Sequence, residues 1–310
     1  MRHTKRITKV FAGVFALALL VGLLPSVGLG QEQAPPPQDQ APPPPLPPDQ
    51  LDRLVSRVAL YPDPLLAQVL AAATFPDDIQ PAAQWADEHH YLRGQELANA
   101  IQGDQLPWDP SVQALLPFPN VLDEMANDMN WTRDLGNAFL AQRQDVMDAV
   151  QRERHKAYEY GYLRTNPQVV VTPGPYIGIA PANPDYIVVP YYDPAVVFFA
   201  PRPGFFVGGA IRFGFGISLG AWFRPWGWGA TRFDWGGHGI FIGGRPWGRV
   251  WGNRFAYVHP GWGPGVRRWD AGRRAETHQL IRRDEHERNA FREGRERGEE
   301  HHRPEGHPHH

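Results

Sequence analysis

Two groups of side chains in this sequence have types and spacings that could do chemistry. The last ten residues hold five histidines: His301, His302, His307, His309 and His310. Imidazoles gathered on one segment can ligate Ni(II), Cu(II) or Zn(II). These five are therefore the candidate metal ligands, and metal buffering is one function the sequence admits. The second group is carboxylates. A general acid/base pair drawn from Asp63, Asp109 and Asp123 would suit a hydrolase acting on envelope material. A structural role competes with that chemistry, because Asp63 and Asp109 each precede a proline and an apolar-periodic run. Asp is a favoured helix cap and Pro a favoured first helical residue, so capping is the expectation for both.

Other chemistries lack their residues. The chain has no Cys, which removes thiolate zinc sites, cysteine nucleophiles and a disulfide framework. The sequence holds no nucleophile elbow, phosphate loop or His-Glu-x-x-His pattern. His89, His90 and His155 offer no ligand pair at helical spacing. A formal charge of −2 over 310 residues gives no basic footprint for nucleic acid. No catalytic residue and no cofactor is assigned, and a non-enzymatic role is expected.

Five segments must position these groups. Residues 1–30 have Arg2, Lys5, Arg6 and Lys9 ahead of an unbroken apolar run, Val10 to Leu24, then Pro25 and small residues up to Gly30. This is the pattern of a secretory signal, and the run is shorter than the ~20 residues that span a bilayer. Export follows, to the periplasm or outer membrane of a Gram-negative cell. Residues 31–50 contain nine Pro and read as an extended spacer.

Residues 51–199 are expected to form a multi-helix domain closed by two or three short β-strands, so the fold class is mainly α. Leu51, Leu54, Val55 and Val58 recur at helical spacing, as do Leu65, Leu66, Val69 and Leu70. Pro81 marks a start or kink. The longest helix is expected from about Thr132 to Tyr160, with Leu135, Phe139, Val146, Val150 and Ala157 on one seam. Between residues 51 and 164 there are 17 acidic and nine basic side chains; that net charge suits a solvated surface. Runs at 168–172, 176–180 and 186–192 read as strands, with Pro190 at an edge or bulge.

Several stretches here are distinctive: Ala59-Leu-Tyr-Pro-Asp-Pro-Leu-Leu-Ala-Gln-Val-Leu70, Trp108-Asp-Pro-Ser-Val112, Asn130 to Gln142, Asp145 to Arg152, and Pro184 to Val197. Together they resemble the exported bacterial family catalogued as domain of unknown function 3300, over roughly Leu51 to Phe199. Pro81 departs from the smoother helix expected there. The resemblance implies a signal peptide, a helical-then-extended module and a variable Gly-rich C-terminus. It implies no activity, cofactor or catalytic residue.

Residues 200–265 form a Gly/Trp-rich, low-order region. Phe205 to Phe223 is apolar apart from Arg212 and Ser218. Arg212 near the middle of a membrane helix costs about 2.5–3.5 kcal/mol, so extended structure is expected, with Phe213, Phe215, Ile217 and Leu219 on one face. Eight Trp lie between 222 and 269 without a fixed period, which argues against repeats. Their surroundings admit self-association, stacking on sugars or bases, a membrane interface, or docking on the acidic helical domain. Residues 266–310 carry 11 Arg and 10 Asp or Glu and read as a charged, disordered, His-rich tail. The function expected is that of an exported envelope protein, a binding or structural module. Its partner would be an envelope polymer, a membrane surface or another envelope protein, and not a specific nucleic acid.

Overall fold

The structure, a computed structural model, describes residues 41–204 and 208–259. The expected signal segment, the first half of the Pro-rich spacer (31–40) and the His-rich tail lie outside the described residues, as do all five terminal histidines.

The chain is mainly α, with short strands after the helices. Helices α1 Pro48–Val55, α2 Asp63–Ala73, α3 Pro76–Glu88, α4 Gly94–Gly103, α5 Pro110–Gln113, α6 Pro119–Asn127, α7 Met129–Ala141 and α8 Arg143–Glu159 follow one another. Proline recurs in the first turn of most of them, where its missing N–H and fixed φ cost nothing. Helix α2 is the centre of the fold. Its sequence is apolar all round, and every residue from Leu65 to Ala73 is buried, Gln68 included. Helix α7 crosses it closely at Gly136, where a Cβ would lie 2.0 Å from the Ala73 carbonyl oxygen.

Two local expectations are corrected. The long helix expected over 132–160 is two helices, broken at Gln142 (φ −142°, ψ 53°). The Gln142 side chain instead accepts the Leu46 N–H at 2.9 Å, tying the end of the Pro-rich segment to the bundle. The apolar seam survives the break, with Leu135, Phe139, Val146, Val150 and Ala157 all buried. Of the start or kink expected at Pro81, the start is overturned: α3 begins at Pro76 and runs through Pro81.

After α8 the period changes. Strands β1 Val169–Thr172 and β2 Gly178–Pro181 form an antiparallel hairpin. Strands β3 Tyr186–Ile187 and β4 Pro190–Tyr192 precede a short helix, α9 Pro194–Val197. Each then pairs with later chain: β4 with β5 Ile211–Phe213, and β3 with β6 Ile217–Ser218, all antiparallel. Pro190 sits in a two-stranded sheet, an edge position that tolerates its lost donor. Among the described residues no helix is long and apolar enough to cross a membrane, and 211–218 is extended. The alternating face expected there is interrupted: Phe213 and Ile217 are half-buried, whereas Phe215, in the link between β5 and β6, is 100% exposed.

The boundary expected at 199 is not a break in the core. A 3₁₀ turn at Ala221–Trp226, the sheet β7 Arg232–Asp234, β8 Gly239–Ile242 and β9 Arg245–Pro246, and a second 3₁₀ turn at Trp251–Asn253 pack on the helices. Trp226, Trp228 and Trp247 are buried in the same apolar cluster as α2 and α7. Indoles supply both bulk and a directed donor. Trp226 Nε1 donates to Gln113 Oε1 at 2.9 Å and Trp228 Nε1 to the Ala114 carbonyl at 3.1 Å. Gln68 Nε2 donates to the Trp226 carbonyl at 3.0 Å, and Arg249 to the Thr74 carbonyl at 2.6 Å. Of the readings open for this region, residues 208–259 show intramolecular docking, made by indoles and hydrogen bonds more than by paired charges.

Candidate functional site

The three candidate carboxylates fall into three different surroundings. Asp63 does not cap α2, because it is already inside the first turn. Its Oδ1 instead accepts from Arg154 Nη1 at 2.6 Å, and its Oδ2 from Trp235 Nε1 at 3.4 Å. Arg154 is fully buried. Its Nε donates to the Ala59 carbonyl, Nη1 also to Ile177 and Nη2 to Tyr61, at 2.8, 2.8 and 3.0 Å. The capping expectation is corrected for Asp63 and stands for Asp109, whose Oδ1 accepts from Ser111 N at 2.9 Å. Asp193 caps α9 in the same way.

Asp109 also receives the Ser111 hydroxyl at 2.7 Å and faces His259 Nδ1 at 3.3 Å. Ser, His and Asp together suggest a nucleophile relay, but the order is wrong. In such a relay the imidazole stands between hydroxyl and carboxylate; here the carboxylate stands between the other two. Asp123 lies at the surface, its carboxyl raised by partial desolvation and then by the Asp87 charge.

The other candidates disperse as well. His89 stacks on Trp85 at 3.9 Å between ring centroids, and its Nδ1 meets the Trp85 carbonyl at 2.8 Å. His155 Nε2 lies 3.3 Å from the Pro175 carbonyl. Among the described residues no group of three or more His, Asp or Glu could hold a metal ion.

Glu124 is one titratable group with a displaced carboxyl. Burial raises its pKa, opposed by a 3.0 Å bond from the Tyr61 hydroxyl and by the Arg57 charge. A carboxyl raised in the folded state binds its proton more tightly there than in the unfolded chain. Its stabilising contribution is complete below the unfolded pKa and is lost as pH rises through the folded one. Glu124→Gln, which keeps an acceptor for Tyr61, should therefore flatten the fall in urea midpoint as pH rises above the ordinary carboxylate range. An unchanged pH profile would show that this carboxyl does not titrate there.

What the structure brings together is a cleft of about 590 Å³, inside the range of sites that bury one small molecule. Its floor is apolar: Leu97, Leu116, Phe118, Val121, Val189 and Phe223, all buried. One rim is the connection between α3 and α4, with His89, His90 and Arg93. The facing rim is β4 and the β5–β6 link, with Tyr191 (45% exposed) and Phe215. The Tyr191 hydroxyl accepts from Asn120 Nδ2 at 2.8 Å, which anchors the ring to the start of α6. Glycines on both sides of Phe215 make room for neighbouring rings. A Cβ at 214 would lie 3.1 Å from the Tyr191 ring and one at 216 would lie 3.4 Å from Tyr186. Among the described residues no carboxylate lines this cleft.

Sequence reasoning named Phe215, His89 and His90 but did not join them into one site. The local signal was Gly214-Phe215-Gly216, a bulky ring between two glycines, but the facing loop lies more than 100 residues earlier and only the fold joins them.

Comparisons with known proteins place residues 47–202 in a family described as protein of unknown function (DUF3300), close to the stretch that carried the resemblance. An uncharacterized protein of Escherichia coli K12, YacH, is 36% identical over 217 residues, which is 55% of this chain and 35% of that protein. The chain thus spans about a third of the length of that relative. No solved structure matches.

Proposed function

The chain belongs to the DUF3300 family, and for this member we propose the role of an exported cell-envelope protein, non-enzymatic, that binds a ligand in the cleft beside Phe215. The observation that carries the reading is a fully exposed aromatic ring at the rim of an apolar cleft. Leaving such a ring in water forgoes about 1.5–3 kcal/mol that burial supplies, and an apolar cleft of this size beside it is the usual form of a small-molecule site. The cleft offers shape and apolar area rather than an acid/base pair, and the three candidate carboxylates are engaged elsewhere in caps, ion pairs or surface positions. This arrangement favours binding over envelope hydrolysis. Support for export is the basic, apolar and small-residue pattern of residues 1–30.

Fractionation tests the location. The intact chain should appear in periplasmic or outer-membrane fractions, and a chain lacking residues 1–30 should stay in the cytoplasm. A purely cytoplasmic intact chain would overturn the proposal. Metal buffering is a second reading, favoured by the five terminal histidines, and is kept if truncation after Glu300 abolishes nickel binding in calorimetry.

A further inference from the structure

We infer that the cleft takes a single-chain anionic amphiphile, a free long-chain carboxylate. The inference rests on the reading of the cleft as a ligand site and names the ligand's chemistry.

The first observation is the floor. Leucine, valine and phenylalanine side chains line it, and they can pair with none of the hydroxyls of a sugar or the amides of a peptide. Burying those groups without partners costs about 1–3 kcal/mol each, whereas an acyl chain loses nothing there. The second is segregation. The polar side chains of the cleft lie at its rims, and its cationic and imidazole groups lie together in one loop, His89 to Arg93. Apolar floor and charged edge are the complement of a molecule with a tail and a head.

The third observation is charge. Among the described residues Arg93 is the only permanently charged side chain lining the cleft, and no Asp or Glu does. One cation matches one carboxylate. Arg93 is exposed, and its Nη1 is held by the carbonyls of His90 and Leu92. Those bonds orient the guanidinium while its remaining nitrogens take no part in them, which suits a fork that receives a carboxylate. The fourth is size. About 590 Å³ fits one chain, and a two-chain lipid would overfill the range of such sites.

The test uses the full chain and displacement of a fluorescent polyene fatty acid by three probes of equal tail length: dodecanoate, dodecanol and dodecyltrimethylammonium. Dodecanoate should bind at least tenfold more tightly than the cation. Arg93→Gln should shrink that ratio several-fold, and Phe215→Ala should weaken all three alike. Both side chains are exposed, and an unchanged melting temperature verifies that the variants fold. Equal binding of anion and cation would overturn the inference. Binding of a chitin oligosaccharide or an apolar peptide that depends on Phe215, with no amphiphile bound, would overturn the ligand class and leave the binding site standing. Failure of every probe to depend on Phe215 would overturn both.

Discussion

Arg154→Met lowers the stability of this protein by about 3–5 kcal/mol, the loss expected when one partner of a buried ion pair is removed. The guanidinium is fully buried and joins three stretches of chain: the 59–61 turn before α2, α2 itself through Asp63, and the β1–β2 hairpin through Ile177. Removing it leaves three carbonyls without those donors. Among the described residues it also leaves the Asp63 carboxylate with only the N–H of Ile179 and the indole of Trp235 as partners. For a domain of this size the melting temperature should fall by roughly 6–20 °C. Arg154→Lys should lie between wild type and Met, because an ammonium keeps the charge but not the planar fork. Adding Asp63→Asn to the Met variant should recover part of the loss by removing the unpaired charge. A Met variant within 1 kcal/mol of wild type would contradict this account of how the hairpin is held.

Trp247→Ala tests whether the Gly/Trp segment is part of the core. Trp247 is 2% exposed, stacks on Phe139 of α7 with ring centroids 5.5 Å apart, and lies beneath the Arg143 guanidinium at 5.0 Å. Truncating a core Trp to Ala costs about 3–5 kcal/mol, and the loss should appear in the single unfolding transition of the helices. The indole nitrogen of Trp247 is buried with no hydrogen-bond partner among the described residues. Trp247→Phe keeps the ring contact and removes that donor, so it should cost far less than Ala. Circular dichroism in urea reads both. A helical transition indifferent to Trp247→Ala would mean that residues 208–259 do not stabilise the bundle.

Much of the helical half was legible because its signals are local. The spacing of Leu65, Leu66, Val69 and Leu70 marks α2, and Asp109 before Pro110 marks a cap whatever else folds. The same reasoning failed at Asp63, where the same Asp-Pro pair meets a distant competitor. Arg154, 91 positions away, offers a charged partner, and no spacing rule reports it. The break at Gln142 has a similar origin, since its side chain serves Leu46 across the bundle. The Trp residues were visible but their partners were not: Gln113 and Phe139 lie in helices, and Ala114 just past the end of one, that the indoles reach only after the chain has folded back. The cleft was least legible. Its floor is ordinary core in sequence, and Phe215 becomes distinctive only once its ring is seen outside the alternating face.

Native mass spectrometry of the protein recovered from the envelope fraction tests most directly whether the cleft beside Phe215 holds a ligand. Wild type should carry one small molecule per chain. Ser218→Trp, which places an indole in the cleft from an exposed strand position, should carry none while keeping its melting temperature. The same bound mass in both proteins, or none in either, would contradict the claim.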